Sequence, residues 1–127
     1  MKIAISATGR NIESNIDAAF GRALFFLIMD ITTKEVKVIE NKVRDRPDGV
    51  GITAVNTVEN EGIDAVITTD IGPLAFDIFK QGGVKIYKAE GRINDVIRLF
   101  EEGKLSEITK ATGPKYMGLK KKKSGLR

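Results

Sequence analysis

Residues 63–87, IDAVITTDIGPLAFDIFKQGGVKIY, decide the fold. Ala65-Val66-Ile67 is a short, uncharged run rich in β-branched side chains, the pattern of a strand buried on both faces. Thr68-Thr69-Asp70-Ile71-Gly72 follows, and Pro73 opens a helix, because proline's fixed φ suits the first helical position and its missing N–H would have had no partner there. Ile71, Leu74, Ala75, Ile78 and Phe79 recur at helical spacing and predict one apolar face. Gly82-Gly83 ends the helix, and Val84, Ile86 and Tyr87 resume a strand. The unit is β-α-β, so its two strands run parallel and are joined by a right-handed crossover. The Gly72-Pro73 turn then falls at the carboxyl end of a parallel strand, the edge at which open α/β sheets bind ligands.

Outward from this unit, Lys2–Ala7 reads as a first strand and Asn11–Ala19 as a long polar loop. Leu24–Asp30 reads as a second strand, Ile31–Lys34 as a hairpin turn and Glu35–Glu40 as an edge strand with one wet face. A loop over Asn41–Gly49 leads into a helix whose apolar face is predicted to be Ile52, Val55 and Val58. After Tyr87 a further helix presents Ile93, Val96, Ile97 and Phe100, and Leu105–Ile108 makes a short closing element. The expected fold is α/β, three-layered, with a mixed five-stranded sheet in the order 3-2-1-4-5, a ribonuclease H-like arrangement. One domain is expected over residues 1–109, with a basic, loose tail over 110–127.

Composition narrows the chemistry. The 127 residues are 42% hydrophobic and 30% charged, enough for a core, and no apolar run approaches the length of a membrane span. Cysteine and histidine are both absent, which removes thiol and imidazole ligands, the thiol nucleophile and the usual neutral-pH acid–base group. Cytoplasmic location fits this composition. Residues 110–127 carry a charge of +7, whereas residues 1–109 hold 14 basic and 17 acidic side chains. The basicity therefore belongs to the tail. A ribonuclease H-like nuclease needs several converging carboxylates for two-metal chemistry. The first strand, KIAISA, has none, and Asp70 stands nearly alone.

The expected site lies on the rim of the parallel strands. Thr8 and Gly9, Gly51 and Thr53, and Thr69, Gly72 and Pro73 meet there in the proposed topology. Two helix amino termini on that rim offer unpaired N–H groups and positive dipole ends to an anion. Glycines at 49, 51 and 72 permit close approach of a ligand, or alternatively serve only as turns. Phe20-Gly21-Arg22 supplies a guanidinium able to clamp an anion through two parallel bonds. The alternative makes Arg22 a surface residue with Phe20 tucked into the core. Asp70 reads as a helix-capping turn residue before it reads as a catalytic acid.

These motifs resemble the dinitrogenase iron–molybdenum cofactor biosynthesis family, the NifX-like domains. The likeness spans residues 1–108 and rests on KIAISATG, Ser14–Asp17 leading to FGRALFFLIMD, DGVGITAV, and the stretch from Gly62 to Tyr87. It implies the ribonuclease H-like fold and a carrier that binds iron–sulfur precursors of the nitrogenase cofactor and hands them on. Many members have histidine or arginine just before the FGR phenylalanine, where this chain has Ala18-Ala19.

The sequence therefore predicts a non-enzymatic binding or carrier domain for an anionic ligand, with an iron–sulfur or iron–molybdenum cofactor precursor implied by the resemblance. Thr8, Gly9, Phe20, Arg22, Gly51, Thr53, Thr69, Gly72 and Pro73 are its expected contacts. No catalytic residue and no protein metal ligand is expected, and a protein that receives the cargo is the expected partner. Neither membrane nor nucleic acid is expected. The alternative is an interaction or regulatory module whose basic tail engages an acidic partner or nucleic acid.

Overall fold

A computed structural model describes residues 1–113. Its elements in chain order are β1 Lys2–Ala7, β2 Phe25–Asp30, β3 Val36–Glu40, α1 Val50–Glu59, β4 Ala65–Thr68, α2 Pro73–Gln81, β5 Lys85–Lys88, α3 Ile93–Glu101 and β6 Ser106–Glu107, with a 3-10 turn over Phe20–Arg22. The sheet order is β3-β2-β1-β4-β5-β6. Strands β1, β4 and β5 are parallel, with Ile5 opposite Ile67 and Ile67 opposite Tyr87. The remaining pairings are antiparallel.

The expected order 3-2-1-4-5 is present, but the sheet has six strands rather than five. After α3 the chain turns at Gly103, whose φ of +72° is in the left-handed region that glycine adopts freely. It then runs back along the open edge of β5, placing Glu107 opposite Tyr87 and Ser106 opposite Lys88. Two exposed residues are too few to show an alternating pattern.

Each face of the sheet has its own core. The face bearing Ala4, Phe26, Ile28, Val66 and Ile86 packs against α1 and α2. The face bearing Ile3, Ile5, Leu27, Met29, Ala65 and Ile67 packs against α3 through Ile93, Val96 and Ile97. This is the three-layer arrangement that period-two side-chain alternation in buried strands produces.

The apolar arc of α2 is not the one the spacing predicts. Leu74 is 54% exposed, while Phe76 is only 7% exposed and joins Ala75 and Phe79 in the core. The cause is a neighbouring helix. A Cβ at Gly51 would lie 3.7 Å from Ala75 Cβ, so α2 beds against α1 as well as the sheet and its buried arc turns toward Phe76. On α1 the exposed position is likewise Ile52, and Ala54 is buried in its stead.

At the described end, Ala111 packs on the α1/α2 core. Residues 114–127, the larger part of the expected basic tail, lie outside the described residues.

Candidate functional site: a rim of helix amino termini

The carboxyl ends of β1, β4 and β5, the start of β2 and the amino termini of all three helices share one rim. Across it runs the long loop before β2, held mainly by main-chain bonds. Asp17 N–H donates to Ser6 O at 2.9 Å, Ile16 N–H to Gly91 O at 2.8 Å, Asp70 N–H to Ala18 O at 2.7 Å and Phe20 N–H to Asp70 O at 3.1 Å. Beneath the loop the fully buried hydroxyls of Ser6 and Thr68 lie 2.8 Å apart, and Ser6 Oγ is also 2.8 Å from Asp17 O. Buried hydroxyls need such partners. This pair pins β1 to β4 where the rim begins.

On one side of the rim, α1 and α2 begin next to each other. Gly49 precedes α1 with φ +75°, and Gly72 precedes α2 with extended backbone. No side chain caps either helix. The first intrahelical acceptors serve Thr53 and Phe76, which bond to Gly49 O and Gly72 O. The amides of Val50, Gly51, Ile52, Leu74 and Ala75 thus lack acceptors within their helices. Their N–H groups and both dipoles favour negative charge at this spot.

The FGR turn backs this pair of termini. Phe20 is 1% exposed, and its ring meets those of Phe26 at 5.1 Å and Phe79 at 5.3 Å. It anchors the turn from below and presents nothing to a ligand. Gly21 lies against α1 so closely that a Cβ there would sit 3.1 Å from both N and Cα of Gly51. The buried Asn41 amide holds the same turn, donating to Gly21 O and Ala23 O at 3.0 Å each.

Arg22 is half-buried, and its guanidinium is already engaged. Nη1 donates to Arg44 O and Nη2 to Pro47 O at 3.3 Å, while Arg44 Nε donates back to Arg22 O at 3.2 Å. The guanidinium latches the loop that enters α1. Its Nε is buried and has no partner among the described residues.

The other expected residues have separate duties. Thr8 closes its own loop, with main-chain N–H to Asn15 O at 2.9 Å and Asn15 N–H to Thr8 Oγ1 at 3.2 Å. Gly9 is crowded by Ser14, whose Oγ would lie 2.2 Å from a Cβ at Gly9. Thr69 Oγ1 donates to Ala89 O at 2.7 Å and ties β4 to the end of β5. Thr53 lies in the first turn of α1 and its carbonyl accepts from Thr57 Oγ1 at 2.8 Å. Gly51, Thr53, Gly72 and Pro73 therefore share the α1/α2 rim, with Phe20 and Arg22 behind it. Thr8, Gly9 and Thr69 make their contacts with other loops.

Asp70 does not cap α2. Its carboxylate faces Lys88 Nζ at 3.6 Å across a half-exposed gap. At the start of α3, Arg92 bonds Glu13 and Asp95. The side-chain bond to Arg92 holds the Asp95 carboxyl below the usual carboxylate range, and the same bond raises Arg92. Among the described residues no group of three or more His, Cys, Asp or Glu side chains is placed to hold a metal ion. No helix is long and apolar enough to cross a membrane.

Sequence reasoning did not single out Ser6, Asn41, Thr68 or Thr112. Ser6 and Thr68 sit inside apolar strands, where a lone polar residue was the available signal. Asn41 and Thr112 act on chain segments distant in sequence, which no local spacing reveals.

The fold and rim define an α/β domain built to meet an anion with main-chain donors. The family model for the dinitrogenase iron-molybdenum cofactor matches residues 1–103, and the chain belongs to that family. It is 39% identical over 112 residues to an uncharacterized protein of Methanocaldococcus jannaschii, covering 85% of this chain and 92% of that one. Among solved structures, a candidate NifB protein from Thermotoga superposes with a TM-score of 0.78 at 33% identity, over 88% of this chain and 97% of that one. The apo orange protein of Desulfovibrio gigas has the same fold, with a TM-score of 0.84 at 23% identity over 88% and 96% of the two chains.

Proposed function

We propose that this chain is a non-enzymatic cytoplasmic carrier that holds an anionic metal–sulfur cofactor precursor at the α1/α2 rim and releases it to a protein acceptor. The observation that carries the reading is the pair of adjoining, uncapped helix amino termini. Gly51, Thr53, Gly72 and Pro73 form the seat. Phe20 and Arg22 support the turn behind it, and Thr8, Gly9 and Thr69 frame the neighbouring strand ends. Family membership supplies the class of cargo.

The donor set suits a cluster that arrives with its own ligands. With no cysteine or histidine, the chain offers neither thiolate nor imidazole to a bare metal ion. Backbone N–H groups at helix starts instead hydrogen-bond to sulfide or oxo groups that already carry charge. Such contacts hold cargo without entering its coordination sphere, which suits release.

The test is anaerobic incubation with ferrous iron, sulfide and molybdate, followed by desalting and measurement of metal, sulfide and visible absorption per chain. Wild type should retain more than a cysteine-free control protein of similar size. Gly72 has φ −76° and ψ 166°, angles a valine adopts readily. Gly72→Val should therefore keep the melting temperature while a branched side chain at the α2 start lowers retention about tenfold, equivalent to about 1.4 kcal/mol. Retention no better than the control, or unaffected by this substitution, overturns the proposal.

A further inference from the structure

The described chain ends on the same rim. Ile108 is buried and donates its N–H to Ile86 O at 2.7 Å, and Ala111 packs on the α1/α2 core. Thr112 and Gly113 then close on Ile71, the residue before the Gly72-Pro73 start of α2. Ile71 N–H donates to Thr112 Oγ1 at 3.0 Å, and the N–H groups of Thr112 and Gly113 both reach Ile71 O at 3.1 Å. Both main-chain groups of Ile71 are thus satisfied by this segment. Ile71 itself is 1% exposed, so the anchor is set in the scaffold.

The chain beyond this anchor is strongly cationic. Residues 114–127 contain Lys115, Lys120–Lys123 and Arg127 and no acid, a charge of +6, whereas residues 1–113 sum to −2. A tail that served only solubility would have no need of a fixed exit, and any surface point would do. This one leaves beside the helix start proposed as the anion seat. Lys115 follows Gly113 by two residues, at most about 7 Å of chain, and Lys120 by seven, at most about 25 Å. Tethering over such spans places a lysine near the seat at an effective concentration of about millimolar order.

We infer that Thr112 and Gly113 anchor a cationic arm whose lysines join the main-chain donors of α1 and α2 in holding the anionic cargo. The inference rests on the carrier reading above. It assigns the arm to the ligand and not to a separate acidic macromolecule.

The experiment uses the full chain and the iron–sulfide–molybdate species as probe. Replacing all four of Lys120–Lys123 by glutamine should lower probe retention in low salt about tenfold. The difference should close near 1 M salt, where the screening length is about 3 Å. Thr112→Val keeps every charge but removes the acceptor for Ile71 N–H, and should lower retention about threefold. Equal retention by the glutamine variant and wild type overturns the role of the arm and leaves the carrier reading standing. A difference that persists at 1 M salt overturns the electrostatic basis. Loss in the glutamine variant with none in Thr112→Val overturns the anchor. Wild type that retains no probe overturns the carrier reading and this inference with it.

Discussion

Replacing Arg22 by alanine should destabilise the domain through the loop before α1. The guanidinium donates to the carbonyls of Arg44 and Pro47, which lie more than twenty residues along the chain. Hydrogen bonds to a charged group contribute about 1.5–3 kcal/mol each. The side chain is half-buried, and one bond is long at 3.3 Å, so the pair should be worth less than the full sum. The freed carbonyls also gain water. A net loss of about 2–3 kcal/mol follows, or roughly 8–12 °C in melting temperature for a domain of this size. Lysine at this position reaches one carbonyl at best, since an ammonium lacks the planar fork, and should restore less than half. Thermal unfolding by circular dichroism reads the stability. Amide exchange of Arg46, whose N–H bonds Val43 O at 3.0 Å, reads the loop directly and should quicken in Arg22→Ala. A shift under about 1 °C with unchanged exchange at Arg46 refutes the latch, because a group contributing nothing measurable is a free surface cation. Arg22 would then be available as the anion clamp its sequence motif first suggests.

Two further outcomes probe the scaffold. Phe76→Ala should cost about 3–5 kcal/mol and Leu74→Ala under about 0.5, reversing the order the helical spacing implies; denaturant unfolding of the two variants checks it. Asp30 accepts main-chain N–H bonds from Thr32 at 2.8 Å and Thr33 at 3.2 Å, and these hold its carboxyl below the ordinary carboxylate range. Its stabilising effect on the β2–β3 turn is therefore complete above the unfolded value and fades as pH falls through the folded one. Asp30→Asn should flatten the melting temperature against pH below about pH 4, and an unaltered acid limb refutes the turn's part in it.

The β4-α2-β5 unit was readable because every signal agreed: a buried-strand run at Ala65–Ile67, proline opening α2 and glycines closing it. Agreement failed where a third element intervenes. Two overlapping arcs run along α2, one through Leu74 and Ile78 and one through Phe76 and Phe79, and only the approach of Gly51 to Ala75 selects the second. The convergence of two helix starts followed from topology. What Arg22 does there did not, since its partners are carbonyl oxygens, which every residue possesses and no motif marks. Phe20 was open to either reading, and its ring contacts with Phe26 and Phe79 decide for the core.

The loop that crosses the rim makes six main-chain bonds to its surroundings, through the pairs Ile16–Gly91, Asp17–Ser6, Asp70–Ala18, Phe20–Asp70, Ile93–Ser14 and Asn94–Ile12. Bonds of this kind are indifferent to side-chain identity. Asn11, Glu13, Asn15 and Ala18 meanwhile face solvent. Their replacement should alter the chemistry displayed at the strand ends with little penalty to folding, as surface substitutions generally do. Architecture and recognition are thus inherited separately. A lineage carrying this loop can change what it transports by drift at a few exposed positions, while the hydrogen-bonded frame beneath them stays in place.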